Sequence, residues 1–94
     1  MRKYEALVVL RPNLEEEVRT ALVEKFAGII NNDGEHLNND DWGQKKLAYE
    51  IEKIKEGHYV IMNFMANPSL PMELERNFRI EDDVLRYVVV RVEE

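Results

Sequence analysis

Cysteine is absent from the 94 residues. Its absence removes disulfides, thiolate metal sites and thiol nucleophiles at once, and it fits a reducing cytoplasm. Glycine and proline are scarce, at 4 and 3 residues, and no glycine-rich phosphate loop or nucleophile-elbow sequence occurs. Long apolar runs are missing too: nothing approaches the ~20 residues of a membrane helix. The run Ala6 to Leu10 is too short for a signal core behind Arg2 and Lys3, and Arg11-Pro12 stops it. The expectation is a protein without a membrane segment. Positive charge is in short supply as well, with 13 Lys and Arg against 19 Asp and Glu and a net charge of -6. That balance argues against strong autonomous binding of nucleic acid, whose affinity comes largely from phosphate contacts.

What is present is a globular balance, 45% apolar and 34% charged, in a length that suits one domain over residues 1–94. The charge is uneven. Residues 14 to 41 hold eight acids against Arg19 and Lys25, whereas residues 1 to 13 set Arg2, Lys3 and Arg11 against Glu5. Residues 42 to 65 set four lysines against three acids. The acidic part therefore coincides with a helix, and the basic excess sits in strands.

The strand and helix signals alternate along the chain. Lys3 to Leu10 reads as a strand, with Tyr4, Ala6, Val8 and Leu10 on an uncharged core face and Lys3, Glu5, Leu7 and Val9 on the other. "NLEEEVRTALVEKFAGIINNDG" reads as a helix capped by Asn13, with Val18, Leu22, Phe26 and Ile30 as its stripe and Gly34 ending it. Glu35 to Ile51 reads as a long irregular strand, weakly paired at Asn38 to Asp41 and bulged at Gly43. Lys53 to Gly57 reads as a turn and His58 to Phe64 as the third strand. Leu70, Leu74 and Phe78 stripe a short helix capped by Ser69, and Leu85 to Val92 forms the last strand. The order βαββαβ predicts an α+β, ferredoxin-like fold. Its four-stranded antiparallel sheet has the order 4-1-3-2, with both helices on one face.

That topology leaves the second sheet face open. Leu7 and Val9 with Tyr59 and Ile61 are central on it, and they form the candidate partner-binding patch. RNA-recognition domains stack bases on such strands, but only Tyr59 supplies an aromatic there. Antiparallel pairing is expected to gather Arg2, Lys3, Lys45, Lys46 and Arg91 along one end of the sheet, as a phosphate-contacting rim. A solvated rim that keeps the strand edges soluble would look the same. Leu47, Tyr49 and Ile51 are expected on the core face. Catalytic or metal chemistry finds little support. His36 and His58 lack ligand spacing, Asn38 to Asp41 lacks the glycine and terminal glutamate of a calcium loop, and Glu81-Asp82-Asp83 reads as a turn. The arginines and asparagines do not form the phosphate cradle of an acylphosphatase.

The blocks "MRKYE", "VVLRPNL", "WGQKKLAYEI", "GHYVIMNF", "ELERNFRI" and "VLRYVVVRV" occur in order over essentially the whole chain. Together they resemble the family of bacterial small-subunit ribosomal protein number six. The resemblance implies a non-enzymatic, cytoplasmic component of the ribosome. It would bind the central domain of small-subunit ribosomal RNA with a basic companion, small-subunit ribosomal protein number eighteen. Neither a cofactor nor a small-molecule substrate is implied. A partner that brings positive charge would explain an acidic RNA-binding protein. Position by position, Arg2 and Lys3 match the family's basic opening, and Lys45 and Lys46 match its basic pair before Leu-Ala-Tyr. Arg79 matches the arginine after the second helix, and Arg86 the one opening the last strand; Arg91 joins them by its place on the rim. The sequence departs from the family at Glu50, often proline, and at the Lys-Lys pair, often arginine, which costs the bidentate fork. The chain stops directly after the last strand, so no tail is expected to add partner contacts. A ferredoxin-like binding or regulatory module using its open face is the alternative reading.

Overall fold

The structure is a computed structural model and describes residues 1–92. Its elements run β1 (Arg2–Leu10), α1 (Glu16–Asp33), β2 (Gly34–Ile51), β3 (Ile54–Ala66), α2 (Leu70–Ile80) and β4 (Val84–Arg91). The sheet order is β2-β3-β1-β4, every pairing is antiparallel, and the fold class is the expected ferredoxin-like one. β1 is central, and its Tyr4, Ala6, Val8, Val9 and Leu10 are all buried. It pairs Val8 with Val60 on one side and with Tyr87 on the other.

The period-2 alternation of the strands chooses the core face. Tyr4, Ala6, Val8 and Leu10 of β1 and Val60, Met62, Phe64 and Ala66 of β3 are buried beneath the helices. Leu22, Phe26 and Ile30 of α1 and Leu70, Leu74 and Phe78 of α2 close over them. Phe26 meets Phe78 edge-on with centroids 4.7 Å apart, and Tyr4 stacks on Phe64 at 5.6 Å. Each such ring removed from water stabilises by about 1.5–3 kcal/mol. No polar or charged residue is buried among the described residues, so apolar area alone holds this layer.

The boundaries differ from expectation where local backbone overrides pattern. Asn13 does not cap α1. It sits in left-handed backbone at φ 64°, and the N-cap is Glu15, without a side-chain hydrogen bond. Val18 is 41% exposed and lies outside the buried stripe, which is confined to Leu22, Phe26 and Ile30. Ser69 is the N-cap of α2 but makes no capping bond. Gly34 does follow α1, yet in extended backbone rather than as a left-handed cap. Glycine is needed there because an added Cβ would lie 2.5 Å from the Met65 carbonyl oxygen.

The turn between β2 and β3 is also tighter than Lys53 to Gly57. It is two residues, Glu52 and Lys53, both with positive φ (52° and 67°), which suits the twist of a hairpin. β3 consequently starts at Ile54, and Gly57 lies inside it. The irregularity expected of β2 is present, with register shifts between His36 and Asn38, Asp41 and Gly43, and Lys46 and Ile51. At the second of these Gly43 takes φ 77° and donates its amide to Asp41 Oδ1 at 2.8 Å, leaving Trp42 as the extra residue.

Candidate nucleic-acid interface

The pairing register divides the expected basic rim in two. Arg2 pairs with Ala66, Lys3 with Met65, and Arg91 with Tyr4, so these three gather at the end of β3. Lys45 pairs with Gly57 and Lys46 with Glu56, near the start of β3. The two groups are separated by about nine residues of strand, roughly 30 Å. The expectation of one rim fails for a simple reason: a hairpin places the end of its first strand beside the start of its second. Lys45 and Lys46 belong instead with Arg86, which pairs with Val9, and with Arg79 at the end of α2.

All seven of these basic residues share one property. Arg2, Lys3, Lys45, Lys46, Arg79, Arg86 and Arg91 have no carboxylate within ion-pair distance among the described residues. Arg11, Lys25, Lys55 and Arg76, by contrast, are each engaged by an acid. Lys45 lies 5.3 Å above the Trp42 ring. Arg86 lies 5.8 Å from the Tyr49 ring and donates to its hydroxyl at 3.3 Å. Arg79 reaches the Tyr87 hydroxyl at 3.5 Å, a contact that holds its guanidinium pKa above the usual arginine value.

The Arg86–Tyr49 contact is surprising on topology. β2 and β4 are the two edges of the sheet, three strand spacings or about 14 Å apart. The contact forms because the wide bulge between Lys46 and Ile51 carries that part of β2 back across the open face. Glu52 then meets Arg11 at 3.7 Å. Leu47 and Val9 converge over Gly57, where an added Cβ would fall 3.3 Å from Leu47 Cδ2 and 2.4 Å from Val9 Cγ1. Leu47 and Tyr49 are therefore on the open face, and the expected core-face position is wrong for both. Tyr49 is 60% exposed.

The same arm corrects the partner-binding patch. Leu7, Tyr59 and Ile61 are half-buried on the open face. Val9 is only 2% exposed, so it is closed to any partner. Val88 and Val90 of β4, at 38% and 46%, extend the patch instead. Their alternation with Tyr87 and Val89, which pack on the core, was available in "YVVV" but went unused.

His58 Nε2 lies 2.6 Å from Asp41 Oδ1, and His36 Nε2 lies 2.7 Å from Asn39 Oδ1, both pairs between surface neighbours on the sheet. Among the described residues no group of His, Asp and Glu converges to hold a metal ion.

Comparison with known proteins identifies the family and the fold. Residues 3–91 match the sequence profile of the family described as ribosomal protein S6. The chain is 53% identical over 94 residues to small ribosomal subunit protein bS6 of Clostridium novyi, covering 99% of each chain. It is 50% identical to the protein of the same name from Clostridium perfringens, with 100% coverage of both. The crystal structure of 30S ribosomal protein S6 from Thermotoga maritima superposes with a TM-score of 0.90 at 33% identity, over 97% of this chain and 87% of that one. The C-terminal domain of the MgtC protein from Mycobacterium tuberculosis shares the fold alone, at a TM-score of 0.60 and 17% identity.

Proposed function

We propose that this chain, which belongs to the ribosomal protein S6 family and is thus a structural, non-enzymatic component of the small ribosomal subunit in the cytoplasm, binds the central domain of small-subunit ribosomal RNA as a heterodimer with small-subunit ribosomal protein number eighteen. The observation that carries the reading is that all seven cations expected to meet RNA, together with Arg19 and Lys53, have no acidic partner among the described residues, on a chain of net charge -6. Unpaired arginine and lysine side chains on an acidic protein are available to phosphate, while the total charge opposes binding by this chain alone. A basic companion removes that opposition. The partly exposed apolar strip of Leu7, Ile61, Val88 and Val90 supplies a surface on which the companion would seat.

The test is the salt dependence of RNA binding by the heterodimer and by the isolated chain. The heterodimer is expected to bind far more tightly. Lys45→Ala and Lys46→Ala should each lower the log–log salt slope by about 0.7–0.9 if that residue meets one phosphate. The Arg2→Ala/Arg91→Ala pair tests the other end of the sheet in the same way. Equal affinity of the isolated chain and the heterodimer would sink the shared-binding reading. An unchanged slope in every variant would reduce both basic groups to a solvated edge.

A further inference from the structure

The bulged arm of β2 does more than carry charge. It presents two aromatic rings that the surrounding residues do not cover, Trp42 at 48% and Tyr49 at 60% exposure. Each ring has a cation over one face, Lys45 at 5.3 Å and Arg86 at 5.8 Å from the ring centroid, so a base would stack on the opposite face, and neither cation has an acidic partner among the described residues. The Trp42 ring is oriented by its Nε1, which donates to Asp40 Oδ2 at 3.0 Å. The Tyr49 ring is oriented by its hydroxyl contact with Arg86. We propose that the Trp42–Lys45 and Tyr49–Arg86 pairs form a subsite for unpaired RNA nucleobases, the rings stacking on base faces while Lys45 and Arg86 meet the flanking phosphates. The inference rests on the reading of this chain as RNA-binding and adds what kind of RNA it takes at this end of the sheet.

Two physical arguments select that occupant. A ring with an adjacent free cation matches the two chemical parts of a nucleotide, a π-face and a phosphate. Base faces inside a duplex are covered by their own neighbours, so a stacking ring can only take bases from a loop, bulge or junction. The carboxylate of Asp40, on the Trp42 indole nitrogen, repels phosphate from that edge and leaves the Lys45 side for it.

The experiment uses the heterodimer and two readouts. Trp42 is the one tryptophan of this chain, so its fluorescence reports stacking directly, with Trp42→Phe subtracting any signal from the companion. Single-stranded oligouridylate should quench it, and a blunt-ended RNA duplex should not. In binding to central-domain RNA, Tyr49→Leu and Trp42→Leu should each lose about 5- to 150-fold in affinity, with an unchanged salt slope. Tyr49→Phe should lose clearly less affinity than Tyr49→Leu, because it gives up the hydroxyl contact with Arg86 but keeps the ring. Wild-type affinity in both leucine variants, or equal quenching by duplex, would overturn the subsite while leaving phosphate binding intact. Equal losses in Tyr49→Phe and Tyr49→Leu would also overturn it, assigning Tyr49 to the placement of Arg86. A wild-type heterodimer that binds neither RNA would overturn the proposed function itself, and the subsite with it.

Discussion

The two faces of this sheet are covered in different ways. On one, α1 and α2 interlock with eight strand residues, and Phe26, Phe64 and Phe78 are essentially removed from solvent. On the other, the cover among the described residues is the protein's own β2 arm, which closes over Val9 and leaves Leu7, Ile61, Val88 and Val90 partly exposed. Both faces are built from the same strands by the same alternation. The difference teaches that period-2 patterning decides which side chains share a face, while a bulge in a neighbouring strand decides what comes to lie on top of them.

The sharpest way to test that contrast is to cut one large side chain from each face. Phe64→Ala should cost about 3–5 kcal/mol, because it removes a fully buried ring and leaves a cavity between the sheet and the helices. Ile61→Ala, three residues earlier and pointing to the open face, should cost clearly less, since part of its surface already meets water. Denaturant midpoints of the two variants give the comparison. Equal losses would mean that the open face is packed as tightly as the core.

A second pair of substitutions probes close approach on the two faces. In Gly34→Ala the new methyl would sit 2.5 Å from a backbone carbonyl, that of Met65. In Gly57→Ala it would sit 2.4 Å from Val9 Cγ1, a side-chain atom under the β2 arm. Overpacking of this kind costs about 1–3 kcal/mol. Gly34→Ala should fall at the upper end, because the backbone of β3 has to shift, and Gly57→Ala at the lower, because Val9 can rotate or the arm lift. A rise in the accessibility of Tyr49 to chemical modification in Gly57→Ala, and not in Gly34→Ala, would identify the arm as the part that moves.

Gly28 supplies the opposite sign. It lies in the exposed middle of α1, and an added Cβ would meet nothing within 4 Å. Gly28→Ala should stabilise by about 1 kcal/mol, since glycine loses the most backbone freedom in a helix. Thermal melts would reveal the gain, and a loss would mean that α1 packs more closely there than its surface suggests.

The helix-covered face was legible in the sequence, and the reason is visible in it. Tyr4, Ala6, Val8 and Leu10 alternate without interruption, and Leu70, Leu74 and Phe78 recur at helical spacing, so each set is fixed by short-range periodicity. Asn38 to Gly43 announced a bulged strand for an equally local reason. The candidate interface was less legible because it depends on register. The residues were named, but Lys45 and Lys46 were expected at the wrong end of the sheet, and Val9 was expected to be open. No local pattern marks the shift between Lys46 and Ile51 that folds Tyr49 onto Arg86. The two-residue turn at Glu52-Lys53 was missed because neither residue is one that usually takes positive φ.

The smallest effect lies on the solvent side of the helix layer, where charge rather than packing is at work. Arg76 Nη2 donates to Glu73 Oε1 at 2.6 Å across one turn of α2. That hydrogen bond, together with the charge of Arg76 and a further bond from Asn77, holds the Glu73 carboxyl below the ordinary glutamate value. A carboxylate with a depressed folded pKa contributes stability that is present above its unfolded pKa and lost as pH falls through the folded one. Because the pair is fully solvated, its contribution should be too small to move the melting temperature, and salt should weaken it further. The measurement is therefore the titration itself. In a carbon-detected NMR titration Glu73 should protonate at lower pH than an ordinary glutamate, and Arg76→Ala should raise its midpoint. A Glu73 midpoint unchanged by Arg76→Ala would show that the ion pair is not held in solution, and that the outer surface of the helices is as loosely organised as the open end of the sheet.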